Sequence, residues 1–126
     1  MGREEDKRIG ERIFLESSFT VRHQGKACRV VDAGPTGLGI TYIDSDEWPR
    51  DMVLEYSLDR ESGQVRQVRC RTVWESTMNF YKTRVQEVVR RRGLAFVETE
   101  SPDAEALLNH LRSVEEGERQ DTPDRF

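Results

Sequence analysis

The sequence predicts a mostly-β domain, six short antiparallel strands closed into a barrel and followed by one C-terminal α-helix. Runs of alternating apolar and polar residues recur at hairpin spacing, and turn-forming residues separate them. Only one stretch, near the C-terminus, changes to a helical period. Closing the strands into a barrel removes the exposed edges that an open sheet would present.

The first strand-like pattern runs from Ile13 to Arg22, where Phe19, Val21 and His23 alternate with Thr20 and Arg22. His23 to Lys26 reads as a hairpin turn into Ala27–Asp32, and the segment Asp32 to Gly37 turns the chain again. There Pro35 fixes φ, and Gly37 is free to take a positive φ. Leu38, Ile40 and Tyr42 then mark a third strand, and Met52, Leu54, Tyr56 and Leu58 a fourth. In the fifth, Val68, Cys70, Thr72 and Trp74 share one face, which assigns Trp74 to the core. The stretch 76–92 fits either a helix or an extended hairpin arm, and the arm is the reading adopted. Gly93–Glu98, with Leu94 and Phe96 on one side, forms the last core strand.

Ser101, Pro102 and Asp103 signal a helix start: a capping hydroxyl, a proline where its missing N–H is no loss, and an acid near the positive dipole end. Ala104, Leu107, Leu108, Leu111 and Val114 form its apolar stripe. The expected organisation is a charged arm over residues 1–12, a barrel with its helix over 13–114, and a disordered acidic tail over 115–126.

A net charge of -4 and a pI near 5.3 argue against binding to a nucleic acid polymer, because such proteins concentrate positive charge to release counterions. Of the 20 basic residues 17 are arginine, a skew that suits bidentate recognition but more often reflects genome composition, which is the reading adopted. Cys28 and Cys70 carry no metal or redox spacing and are expected to be reduced and buried. His23 and His110 have no partners at metal or triad spacing, so no enzyme is expected. The N-terminal residues lack an apolar leader and no run suits a membrane helix, which leads us to expect a soluble cytoplasmic protein without membrane insertion.

Two separated polar signatures remain. Arg8 and Arg12 stand four residues apart in the arm, and Asp32, Gly34 and Gly37 lie in the turn one strand pattern later. Each alone is ordinary, a solvated arm and a hairpin turn. Arg90 to Arg92 could extend an anionic site, but a solvated strand start is the reading adopted, and the triplet is left out of the core site. Trp48, beside Pro49 in a loop, is left unassigned.

The order of the signatures is more informative. An Arg-x-x-x-Arg arm, an Asp-x-x-x-x-Gly turn running into Leu38-Gly39-Ile40, further strands ending in Gly93-Leu94-Ala95-Phe96 and a late helix together resemble the PilZ domain family. The resemblance spans roughly Lys7 to Val114. It implies a six-stranded barrel with a helix that receives the bacterial second messenger cyclic di-GMP as a ligand, with no further cofactor. Arg8 and Arg12 match the family's RxxxR, and Asp32 and Gly37 match its [D/N]xSxxG. Gly34 stands where the family has Ser, and a lost neutral hydrogen bond of about 0.5 to 1.5 kcal/mol weakens binding by at most about tenfold. The resemblance implies a receptor that changes its surface to regulate an unidentified protein partner, in motility, biofilm formation or a similar process. The alternative is an adaptor of the same fold without useful affinity for the nucleotide.

Overall fold

The computed structural model describes residues 12–16, 19–44, 47–58, 63–82 and 85–121. Among the described residues seven strands and one helix follow in chain order: β1 (Ile13–Phe14), β2 (Thr20–His23), β3 (Lys26–Gly34), β4 (Gly37–Ile43), β5 (Asp51–Tyr56), β6 (Arg66–Lys82), β7 (Val85–Phe96) and α1 (Pro102–Asp121). All pairings are antiparallel. Six of the strands close a ring in the order β3-β2-β5-β6-β7-β4, with β4 returning to β3, and β1 is the extra strand.

The predicted first strand, Ile13–Arg22, is two strands. Both β1 and β2 lie along β3, with Phe14 opposite Asp32 and Thr20 opposite Arg29. The interruption faces a β-bulge in β3, where Val31 is an extra residue between Val30 and Asp32. A bulge locally disrupts the ladder and bends its strand, and here β1 and β2 pair with β3 on either side of it.

Period-two patterning sends Val21, Cys28, Val30, Leu38, Ile40, Met52, Leu54, Val68, Cys70, Leu94 and Phe96 into the barrel. Burial pushes both thiols up to about 12, and both cysteines are free. Ala104, Leu107 and Leu111 of α1 join the same core. Ser101 Oγ accepts the Ala104 N–H at 3.1 Å, as expected of an N-cap, and the Tyr56 hydroxyl donates to the Asp103 carbonyl, tying the helix start to β5. The helix continues to Asp121, where the sequence reading begins a disordered tail at Glu115. Polar residues with good helix propensity extend a helix once its first turns are docked, and Glu115, Glu116, Glu118 and Arg119 are of that kind. Residues 122–126 lie outside the described residues.

Stretch 76–92 is an extended arm. β6 and β7 pair continuously from Ser76 opposite Arg91 to Lys82 opposite Val85. At the base of this hairpin the barrel mouth is filled by Trp48, stacked on Tyr42 with ring centroids 3.8 Å apart and planes 12° from parallel. Arg92, only 1% exposed, donates to the Trp48 and Pro49 carbonyls at 2.5 and 2.6 Å and to Thr72 Oγ1 at 3.1 Å. It also pairs with Glu75 at 3.0 Å. Arg90, 8% exposed, reaches Glu75 at 3.3 Å and the Asp44 carbonyl at 2.9 Å. Two of the three arginines read as solvated are therefore buried, because the inward side of β7 at the mouth offers them a carboxylate and loop carbonyls.

Candidate functional site

Ile13 and Leu15 are buried, and the Leu15 N–H donates to the Val31 carbonyl at 3.0 Å. These contacts fix the start of β1 against β3 and bring Arg12 to Asp32. Arg12 Nη2 lies 2.9 Å from Asp32 Oδ1, both side chains being partly exposed. Arg12, the one described residue of the arm, thus lies against the strand that carries Asp32. Arg8 lies outside the described residues.

Strand register organises the rest of the site into a row across the outer face. Phe14 opposes Asp32, Asp32 opposes Gly39, Gly39 opposes Gly93, and Gly93 opposes Trp74. The two glycines form a floor without side chains. A Cβ on Gly39 would lie 2.3 Å from Asp32 Oδ1, and one on Gly93 would lie 2.0 Å from Trp74 Nε1. The carboxylate thus leans over Gly39 and the indole over Gly93. Phe14 is 69% exposed at one end of the row, and Trp74 is 49% exposed at the other.

Trp74 departs from its predicted place in the core. An extra residue, Val73, forms a β-bulge between Thr72 and Trp74, so Thr72 points inward while Val73 and Trp74 are both exposed. Bulges re-aim side chains in this way. Asp32 likewise follows a bulge residue, Val31, so both polar or aromatic ends of the glycine floor are set by one surplus residue. Sequence reasoning missed Gly39, Gly93 and the outward Trp74. The Trp74 and Gly93 positions were legible only as strand residues, since register between β6 and β7 is a long-range property.

Gly34 and Gly37 close the β3–β4 hairpin around the two-residue turn Pro35–Thr36. Gly37 is absent from the positive-φ residues among those described, which corrects the expectation of a left-handed turn. Its constraint is close approach, because a Cβ there would lie 1.9 Å from the Leu94 carbonyl oxygen. Gly34 is buried at the end of β3 and does not touch the cavity described next. Thr36, exposed in the turn, does line it.

That cavity is an open depression of about 550 Å³ between Arg12, Asp32, Thr36, Gly39, Trp74 and Gly93. Its size falls within the usual range for small-molecule sites. It offers a guanidinium fork, a carboxylate acceptor and an aromatic face, a donor–acceptor–stacking set that matches the edges and face of a purine base. Among the described residues no group of histidine, cysteine and carboxylate side chains is arranged to hold a metal ion. Among the described residues no helix is long and apolar enough to cross a membrane.

No family model matches the sequence, and no curated protein matches it. Solved structures do match. The chain is similar to the "PilZ domain with c-di-GMP of YcgR from Escherichia coli", at 16% identity and a TM-score of 0.62, over 92% of this chain and 96% of that one. It is similar to the PlzA protein of Borreliella burgdorferi, solved in complex with c-di-GMP, at 12% identity and a TM-score of 0.53, over 99% of this chain and 58% of that one. An uncharacterised Legionella protein matches at 12% identity and a TM-score of 0.52, over 87% of this chain and 98% of that one. The fold is that of a PilZ-like domain.

Proposed function

We propose that the protein is a receptor for cyclic di-GMP, without catalytic activity, that binds the nucleotide on the outer face of the barrel over Gly39 and Gly93. The observation that carries this reading is the meeting of Arg12 and Asp32 beside a glycine floor edged by Trp74, on a PilZ-like fold. Asp32 accepts the N1–H and N2–H of one guanine, and Arg12 donates to a phosphate or to the O6/N7 edge. Trp74 stacks on a base, a contact contributing about 1 to 3 kcal/mol. Arg8, four residues before Arg12, closes on the same ligand, and Gly37 keeps the turn tight enough for Asp32 to reach it. Gly34 contributes backbone only, with the Thr36 hydroxyl available nearby.

Binding must separate Arg12 from Asp32. An ion pair as exposed as this one contributes no more than about 1 kcal/mol, so charge-assisted bonds to the ligand outweigh it. Closure of the arm changes the surface around β1, and a protein partner in the cytoplasm reads that change. Titration calorimetry tests the reading. Wild-type protein is expected to release or absorb heat with micromolar cyclic di-GMP, and Arg12→Ala and Asp32→Asn to bind at least about tenfold more weakly. Absence of heat with wild-type protein, or unchanged affinity in both variants, sinks it.

A further inference from the structure

Next to the glycine floor, on the same outer face, a second row crosses the same strands. Arg29 of β3 opposes Thr41 of β4, Thr41 opposes Arg91 of β7, and Arg91 opposes Ser76 of β6. Alternation confirms the facing: Val30, Tyr42 and Arg92, their chain neighbours, are buried, whereas Arg29, Arg91 and Ser76 are exposed. Two residues along a strand is about 7 Å, which is the separation of this row from the floor. Arg29 and Arg91 stand two strand spacings apart, about 10 Å, close enough for two long side chains to converge above Thr41.

These two arginines are distinguished by sharing one row beside the floor, with only Thr41 between them. Arg12, Arg66, Arg71, Arg90 and Arg92 each pair with a carboxylate. Among the described residues neither the Arg29 nor the Arg91 side chain makes a hydrogen bond or an ion pair; the same holds for Arg69 and Arg112, which lie outside this row. Of the carboxylates on this face, Asp32 is held by Arg12, and Glu87 lies two outward positions beyond Arg91 along β7. The Thr41 hydroxyl is committed to the Arg90 carbonyl at 3.1 Å, which leaves the guanidiniums as donors.

We propose that Arg29 and Arg91 form an anion subsite that takes a phosphate group of the ligand seated on the glycine floor. This rests on the reading of that floor as a cyclic di-GMP site, and it deepens it: one base lies between Asp32 and Trp74, and a phosphodiester extends sideways onto the arginine row. Paired guanidinium forks suit phosphate oxygens, and two of them bracket one anion without needing a helix end or a metal. The subsite makes the protein selective for a ligand that carries a base and a phosphodiester at fixed separation. A mononucleotide, with its phosphate on a free chain end, cannot satisfy both places with equal geometry.

Calorimetry at fixed ionic strength with cyclic di-GMP and with GMP tests this on wild type, Arg29→Ala, Arg91→Ala, the double variant and Arg112→Ala, the last an exposed arginine of α1. Each single subsite variant is expected to lose about tenfold in affinity for cyclic di-GMP and the double variant about a hundredfold, with melting temperature unchanged. The preference over GMP shrinks in step, and Arg112→Ala matches wild type. Wild-type affinity in the double variant, with Arg12→Ala impaired, overturns the subsite and leaves the ligand reading intact. If wild type binds no cyclic di-GMP, the ligand reading fails, and inorganic pyrophosphate becomes the probe. Amide NMR shifts at Thr41, Arg91 and Ser76 that vanish in the double variant then support the subsite, and an unchanged spectrum overturns it.

Discussion

Along β7, Arg90, Arg91 and Arg92 are consecutive in sequence and occupy two different environments. Arg90 and Arg92 point into the barrel mouth, where Glu75, Thr72 and the carbonyls of the 44–50 loop surround them, and Arg91 points out beside the ligand floor. The same side chain serves as a structural tie on one side of the strand and as an open donor on the other. The difference teaches that arginine content here is divided by strand parity: the inward pair holds Trp48 over the mouth, and the outward one is left for an anion.

Arg92→Ala breaks the inward side most severely. It removes the donor to the Trp48 and Pro49 carbonyls and to Thr72, and each buried acceptor left without its donor costs about 1 to 3 kcal/mol. Urea denaturation is expected to show that loss, whereas Arg91→Ala shifts stability by no more than about 0.5 kcal/mol. Equal losses in the two variants would erase the distinction between the faces.

The two tryptophans extend the same contrast. Trp74→Ala is expected to weaken cyclic di-GMP binding by about tenfold or more, the loss of one base stack. Ligand-dependent fluorescence change persists in Trp48→Phe and disappears in Trp74→Phe. A change that follows Trp48 instead would move the binding event to the barrel mouth.

Gly34→Ser sharpens the outer side from the opposite direction, by adding the hydroxyl of the family pattern. Calorimetry is expected to show tightening of up to about tenfold. If affinity stays constant and Thr36→Ala weakens binding, the hydroxyl already comes from Thr36.

The smallest effect concerns His23, buried beside Trp48. Burial lowers its pKa below 6.5, the Val53 backbone opposes that shift in part, and Arg92 and Lys26 reinforce it. The folded state therefore binds fewer protons than the unfolded chain as pH falls through the unfolded value near 6.5. Stability is full above that value and declines below it, by at most about 1.4 kcal/mol per pH unit. His23→Gln is expected to flatten this part of the pH profile of the denaturation midpoint.

Much of the fold was readable because apolar alternation is local. Met52, Leu54 and Tyr56, or Leu38, Ile40 and Tyr42, declare their inward side within one strand. The helix stripe declared itself likewise, though its length did not, since Glu115 onward has no apolar period to mark a continuing helix. The meeting of Asp32 and Arg12 was readable through their motif. Trp74 was not, because alternation counted from Val68 passes through the surplus Val73. Arg90 and Arg92 were misjudged because three adjacent charges read as solvated unless the Glu75 partner and the loop carbonyls are known.

Val31 and Val73 carry a consequence for the shape of the ligand face. Removing either residue would leave Asp32 opposite Gly39 and Trp74 opposite Gly93, because each is the unpaired member of its bulge. Asp32 and Trp74 would still face the floor, but the exposed Val73 side chain and the added twist that a bulge gives its strand would be lost. Concavity in this molecule is thus written as chain length, two valines in excess of the ladder, and shortening the chain by those two residues would flatten the outer face while keeping Arg12, Asp32, Gly39, Gly93 and Trp74.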